Sequence, residues 1–303
     1  MKNVILSCFL LVSIYSNAQT EIDAIMMSKN RFCTGAIYQY SNWDKYWEGV
    51  NKRENLNMGA VSTQSLGVMG NYGITDKLNV LFNIPYVKTN ASTGTMKGQE
   101  GFQDLLLTLK YMPFEKKIKN NTYSLYTIGS YSVPVSDYAV DYLPLSLGLG
   151  SQAATFRLMG DFQRGNFFAT LSGAYLFRSN STIERNSYFT TEMHYTDEVD
   201  LPNLININAR AGYRSNRLIA EVIIDNSVTQ SGGFDITLNN MPFPSNTMNA
   251  LRLGTNIKYT LKKMPELAFI GGSNYVLKGR NVGQSTTFYG GAFYVINFNK
   301  KAK

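Results

Sequence analysis

From residue 31 onward, segments of ten or more residues recur in which every second side chain is apolar. Leu78, Val80, Phe82, Ile84 and Tyr86 alternate with Asn79, Leu81, Asn83 and Pro85. Ile205, Ile207, Ala209, Ala211 and Tyr213 alternate with Asn206, Asn208, Arg210, Gly212 and Arg214. Leu251, Leu253, Thr255, Ile257 and Tyr259 alternate with Arg252, Gly254, Asn256 and Lys258. A period of two is the signature of β-strands with two unlike faces. Such a sheet packs its apolar face on a second layer, or closes into a barrel and shows it to lipid. Strand length separates the two, because soluble strands run to roughly 5–6 residues and a tilted membrane span needs about 9–11.

Strands are expected near 31–43, 57–74, 77–88, 101–113, 122–135, 147–163, 166–179, 201–214, 217–229, 248–261, 265–278 and 285–298. The gaps alternate. Thr75-Asp76, Gly165 and Ser215-Asn216 make tight turns, whereas 44–56, 89–100, 180–200 and 230–247 are long and polar. Short periplasmic turns and long extracellular loops are the asymmetry of a bacterial barrel with both termini inside. The expected fold is all-β: a closed antiparallel transmembrane barrel of about twelve strands, with 10 to 14 as the range. The last strand carries Phe288, Gly290, Ala292, Tyr294, Ile296 and Phe298 on one face. It resembles the terminal signal of outer-membrane barrels, which implies the barrel-assembly machinery as a partner. The basic pairs Lys116-Lys117 and Lys262-Lys263 are expected in turns.

Charged residues make up 17% of the 303-residue chain, against about 25% in soluble domains. Two Cys exclude a disulfide scaffold, and a single His excludes a His-based metal cluster, so no cofactor is expected. Positive residues are scattered through strands and turns, which points away from nucleic acid. Lys2, the apolar run Val4 to Ile14 and Ser16-Asn17-Ala18 read as an export signal over 1–18. Its removal takes one Lys from the net charge of +8, leaving +7 and a single cysteine, Cys33. Residues 19–30 then form either a periplasmic tail or a segment that plugs the lumen, and 31–303 form the barrel.

The polar faces supply candidate lumen-lining residues: Asp104, Lys110, Arg157, Asp161, Arg210, Arg214, Glu221, Asp225, Arg252 and Lys258. Confined charges of both signs are expected to pair across the interior. Tyr126, Phe168, Tyr289 and Phe293 also fall on inward faces, and aromatics among charges suit an amphipathic ligand. Trp43 and Trp47 are expected in an interfacial aromatic belt. His194 lies in the long 180–200 loop near Asp197, Glu198 and Asp200, with no GxSxG nucleophile motif. It reads as an exposed polar residue and no catalytic site is assigned.

Asn71-Tyr72-Gly73-Ile74-Thr75-Asp76-Lys77-Leu78-Asn79-Val80, then Ile84-Pro85-Tyr86, then Gly101-Phe102-Gln103-Asp104-Leu105 with Lys110-Tyr111, resembles the meta-pathway phenol-degradation family of outer-membrane barrels. Tyr142-Leu143-Pro144 and Leu147 to Ser151 add to this, with a looser similarity to long-chain fatty-acid and aromatic-hydrocarbon channels. The resemblance implies uptake of hydrophobic or aromatic compounds. The expectation is therefore a passive channel for small amphipathic solutes in the outer membrane of a Gram-negative bacterium, bathed in its lipid. The alternatives are a non-transporting structural or receptor-like protein and, behind it, a surface lipid-modifying enzyme.

Overall fold

A computed structural model describes residues 20–230, 232–236 and 241–299; the expected export signal, 1–18, lies outside them. Twelve strands pair with their neighbours in chain order: β1 (Arg31–Trp43), β2 (Val61–Thr75), β3 (Leu78–Ala91), β4 (Leu105–Ile118), β5 (Asn121–Val133) and β6 (Ala153–Arg164). There follow β7 (Phe167–Arg178), β8 (Leu204–Arg214), β9 (Leu218–Thr229), β10 (Asn249–Thr260), β11 (Leu267–Arg280) and β12 (Thr286–Asn297). The ring closes where β1 pairs antiparallel with β12, from Arg31 opposite Asn297 to Asn42 opposite Thr286. Closure leaves no strand edge in need of water. The protein is a closed antiparallel transmembrane barrel.

The alternating residues take the sides that a lipid medium demands. Ile207 is 48% exposed and Leu253 41%, with Leu109, Leu158, Val222 and Ile257 also facing outward. No second layer of the described residues covers them. At the end with the short turns, exposed Tyr111, Phe114, Tyr123, Phe167, Tyr259 and Tyr294 ring the barrel. Amphipathic rings prefer the headgroup level, so this girdle marks one membrane boundary.

Two local features refine the expected strand ends. Lys116 and Lys117 lie within β4, opposite Tyr123 and Thr122 of β5, and not in the turn. β4 runs on past the start of β3, its exposed end paired with β5 alone while β5 stays paired with β6, so charge is tolerated on both of its faces, and the chain turns only at Lys119, whose φ of 54° is left-handed. The register of this hairpin shifts between Tyr111 and Phe114. Pro113 lies in the gap, and proline has no N–H to give to a ladder. Lys262 and Lys263 do sit in the β10–β11 turn.

At the opposite end the loops pack on one another. Leu145 of the β5–β6 loop is fully buried among Met58, Val61, Trp43, Met96 and Met241, which brings four separate loops together. Ile183, Tyr188, Val199 and Leu201 of the β7–β8 loop enclose Leu149 and Phe243 from two others. Loops that start around the whole ring can share clusters only by reaching over the mouth, so together they form a cap. Trp47 and Trp43 belong to it. Trp47 is buried against Ala250, Val276 and Val282, and the Trp43 ring lies so close to Gly283 that a Cβ there would meet it. Neither tryptophan joins an interfacial belt. The short hairpin Lys45–Glu48 with Asn51–Glu54 folds inward and takes Trp47 with it.

The outward face yields a quantitative test. Leu253→Arg should cost about 2–4 kcal/mol if it meets the bilayer core. Denaturant unfolding from lipid vesicles should show this loss.

Candidate functional site: a chamber above an N-terminal plug

Residues 20–29 run back from the start of β1 into the lumen. Lys110 of β4 holds them. Its ammonium, with no exposed surface, donates to the carbonyl oxygens of Thr20 (3.0 Å), Asp23 (2.5 Å) and Ile25 (3.0 Å), and to Asp23 Oδ1 (3.0 Å). The Asp23 carboxylate also accepts from the backbone N–H groups of Thr20 and Ile25, which tightens the segment into a turn. Tyr126 donates to Ala24 O at 3.0 Å, and Thr108 to Glu21 Oε2 at 3.3 Å. Below this, Ala24 and Met26 pack on Met112, Tyr126, Ile128 and Met159. Met27 enters a second cluster with Cys33, Ala268, Phe293 and Val295. Gly73 lets the segment pass, since a Cβ there would meet the carbonyl oxygens of Met27 and Ser28.

Thr20, Ile22, Asp23 and Ile25 of this plug form one side of a chamber of about 400 Å³. Its other walls come from β1 and β8 to β12. They mix Ile37, Ile219, Ile223, Ile270 and Phe293 with Arg210, Glu221, Arg252, Asn256, Lys258 and Tyr289. The charges pair along the wall with near neighbours, not across the interior. Arg210 meets Glu221 of the next strand at 2.9 Å, and Arg252 meets Asp225 at 3.1 Å. Arg214 reaches over β7 to Asp161 at 2.9 Å, its guanidinium 3.8 Å above the Phe168 ring. Amides complete the acceptors: Asn256 donates to Glu221 (2.8 Å), and Asn206 and Asn208 donate to Asp225 (2.8 and 3.1 Å). Arg210, Arg214, Glu221 and Asp161 thus each gain both a counter-ion and hydrogen bonds, the condition for tolerating a charge in a confined space.

The structure brings Arg210, Arg214, Glu221, Asp225, Arg252, Lys258, Tyr289 and Phe293 together around the chamber. Lys110 and Tyr126 lie under the plug instead. Asp161 and Phe168 serve Arg214, and Arg157 bonds to Ser172 (2.8 Å) and Asn206 (3.1 Å). Asp104 sits toward the loops and accepts from Tyr138 at 2.9 Å. Sequence reasoning missed the inward isoleucines, because Ile219 and Ile223 fall on the polar side of β9 and break its alternation. It also missed Glu21 and Asp23, whose role comes from folding back onto Lys110. His194 is part of the cap: its ring stacks on Tyr188 at 4.7 Å and its Nε2 lies 2.8 Å from Thr190 Oγ1. Among the described residues, no three His, Cys, Asp or Glu side chains are grouped to hold a metal ion.

The family described as "Putative MetA-pathway of phenol degradation" matches residues 60–290. The chain belongs to this family. The crystal structure of the COG4313 outer membrane channel from Pseudomonas putida F1 superposes with a TM-score of 0.73 at 12% identity, covering 93% of this chain and 100% of that one. At that identity the likeness is one of fold. The translocator domain of the autotransporter NalP from Neisseria meningitidis is more distant, with a TM-score of 0.44 at 8% identity over 88% of each chain. No curated protein matches the chain. This chain and the Pseudomonas channel thus share a barrel fold, and in this chain the lumen is plugged from one end and roofed at the other.

Glu221 is the acid most enclosed by the chamber wall. Glu221→Gln leaves Arg210 without its counter-ion and should cost about 3 kcal/mol in unfolding free energy, whereas Arg210→Met with Glu221→Leu should recover most of it. In the cap, hydrogen bonds from the Arg280 guanidinium, both 2.7 Å long, hold the Asp235 carboxyl below its ordinary value of 3.8. A lowered carboxylate pKa stabilises the folded form above the unfolded value, and that stability is lost as pH falls through the folded one. Protection of the amides at residues 232–236, taken relative to their intrinsic exchange rates, should therefore hold from neutral pH down to about 4 and decline below 3.8.

Proposed function

We propose that the protein lies in the outer membrane of a Gram-negative bacterium and passes small amphipathic or aromatic molecules by diffusion, with no chemical step. The chamber carries this reading. Its volume of about 400 Å³ falls in the range of roughly 300–1,000 Å³ typical of small-molecule sites. Its isoleucine and phenylalanine walls suit an apolar body, and Arg252, Asn256 and Tyr289 beside them suit one polar end. A pore for inorganic ions has no use for the first set, and a pore for alkanes none for the second. The export signal expected over 1–18 and the aromatic pattern of β12 support delivery to the outer membrane by the barrel-assembly machinery. Membership of a family named for phenol degradation supports an aromatic solute. Against a purely structural role, a rigid strut has no need of such a chamber. Against surface lipid chemistry, His194 is engaged by Tyr188 and Thr190 inside the cap.

Reconstituted proteoliposomes test this directly. Benzyl alcohol should equilibrate faster across them than across empty vesicles, and faster relative to ribose than the lipid alone permits. Protein that inserts, shows heat-modifiable gel mobility and leaves both rates at the empty-vesicle value would contradict the proposal.

A further inference from the structure

The plug meets the wall where the wall is richest in cations. Lys110, Arg157, Arg210, Arg214, Arg252 and Lys258 turn inward, against Asp161, Glu221 and Asp225 from the same strands. Those three acids are taken by Arg214, Arg210 and Arg252. Lys110 takes its acid from the plug, through Asp23. Arg157 makes its hydrogen bonds to the neutral oxygens of Ser172 and Asn206, and has no ion pair among the described residues. The wall alone therefore carries an excess of positive charge, and Glu21 and Asp23 are what the plug sets against it.

Lys110 and Arg157 share one level of the barrel, since both lie opposite Ile128 in register. Two strand spacings separate them, about 10 Å. One step toward the turns, Tyr126 lies opposite Met159. Lys110 Nζ stands 5.7 Å from the Tyr126 ring centre. Ala24 and Met26 of the plug cover the apolar surface of Tyr126, Ile128 and Met159. Two cations above an aromatic and aliphatic floor are thus occupied by an acid and two apolar side chains of the chain's own N-terminal segment.

We propose that the plug is an internal stand-in for the solute: the Lys110–Arg157 site is a binding site for a small carboxylate with an apolar body, which enters as the segment swings aside. This rests on the channel reading and narrows its solute. The carboxylate takes the place of Asp23 at Lys110, and its body takes the surface now under Ala24 and Met26. A buried ammonium left without an acid is costly, so exchange of one carboxylate for another is easier than release of the plug alone.

The test uses the full-length protein in proteoliposomes and planar bilayers, with benzoate and benzyl alcohol as a charged and a neutral probe. Glu21→Gln with Asp23→Asn removes the acids and keeps the shape. It should shift the reversal potential in a potassium chloride gradient toward chloride, and raise benzoate flux relative to benzyl alcohol about fivefold. Lys110→Met should speed both probes without that preference. In the wild type, benzoate should increase hydrogen exchange at residues 20–27, and benzyl alcohol should not. A double variant with the wild-type potential and flux ratio, or benzoate that leaves residues 20–27 unchanged, overturns the carboxylate site even if benzyl alcohol still passes. If no form passes either probe, the channel reading falls with it.

Discussion

Closure of the backbone ladder between β1 and β12 is the constraint from which the remaining features descend. In hydrocarbon an unpaired N–H or C=O has nowhere to turn, so a sheet can span a bilayer only as a ring. Once the ring is closed, the two faces of every strand have fixed surroundings. Ile207 and Leu253 lie outside, and their neighbours Asn208 and Gly254 lie inside. The polar residues are then confined to a narrow space that water can fill only in part. Their charges must find partners close at hand, and the strand spacing makes the adjacent strand the nearest source. The Arg210–Glu221 and Arg252–Asp225 pairs are consequences of this geometry.

A ring of twelve strands is wide enough to leave space inside, and the protein fills that space from both ends. The N-terminal segment enters from the turn side and is anchored by one buried ammonium. The loops close over the other side through apolar contacts among residues far apart in sequence, such as Leu145 with Met58 and Met241. The chamber between β8–β12 and the plug is what these two fillings leave. Its mixture of isoleucine and arginine follows from its position, since it borders the plug on one side and the polar wall on the other. Function in this reading is selective passage through a lined space, with the plug as the movable part.

The strands and their facing were legible in the sequence because period-two alternation is a local property, carried by residues such as Leu251 to Tyr259. Loop packing was not legible. Trp43 and Trp47 read as belt residues because they stand at a strand end, and only the contacts with Gly283, Ala250 and Val276 draw them into the cap. Lys116 and Lys117 read as turn residues because charge usually marks a turn, yet the end of β4 runs past β3 and, exposed there, carries charge on either face. Ile219 and Ile223 broke the alternation of β9 because they line the chamber, whose wall mixes apolar side chains with the polar ones. For the N-terminal segment, the sequence left a tail and a plug as equal options. The choice depends on Lys110, 87 residues away from Asp23.

The medium on each face of the sheet can be measured residue by residue. Nitroxide labels at positions 207 and 253, and at the inward neighbours 208 and 256, can be placed in a Cys33→Ala background in lipid vesicles. Labels at 207 and 253 should relax with dissolved oxygen and ignore a water-soluble nickel complex, and labels at 208 and 256 should show little contact with lipid-borne oxygen. Equal oxygen accessibility on both faces, or nickel contact at 207 and 253, would contradict the barrel's placement in lipid and all that is built on it.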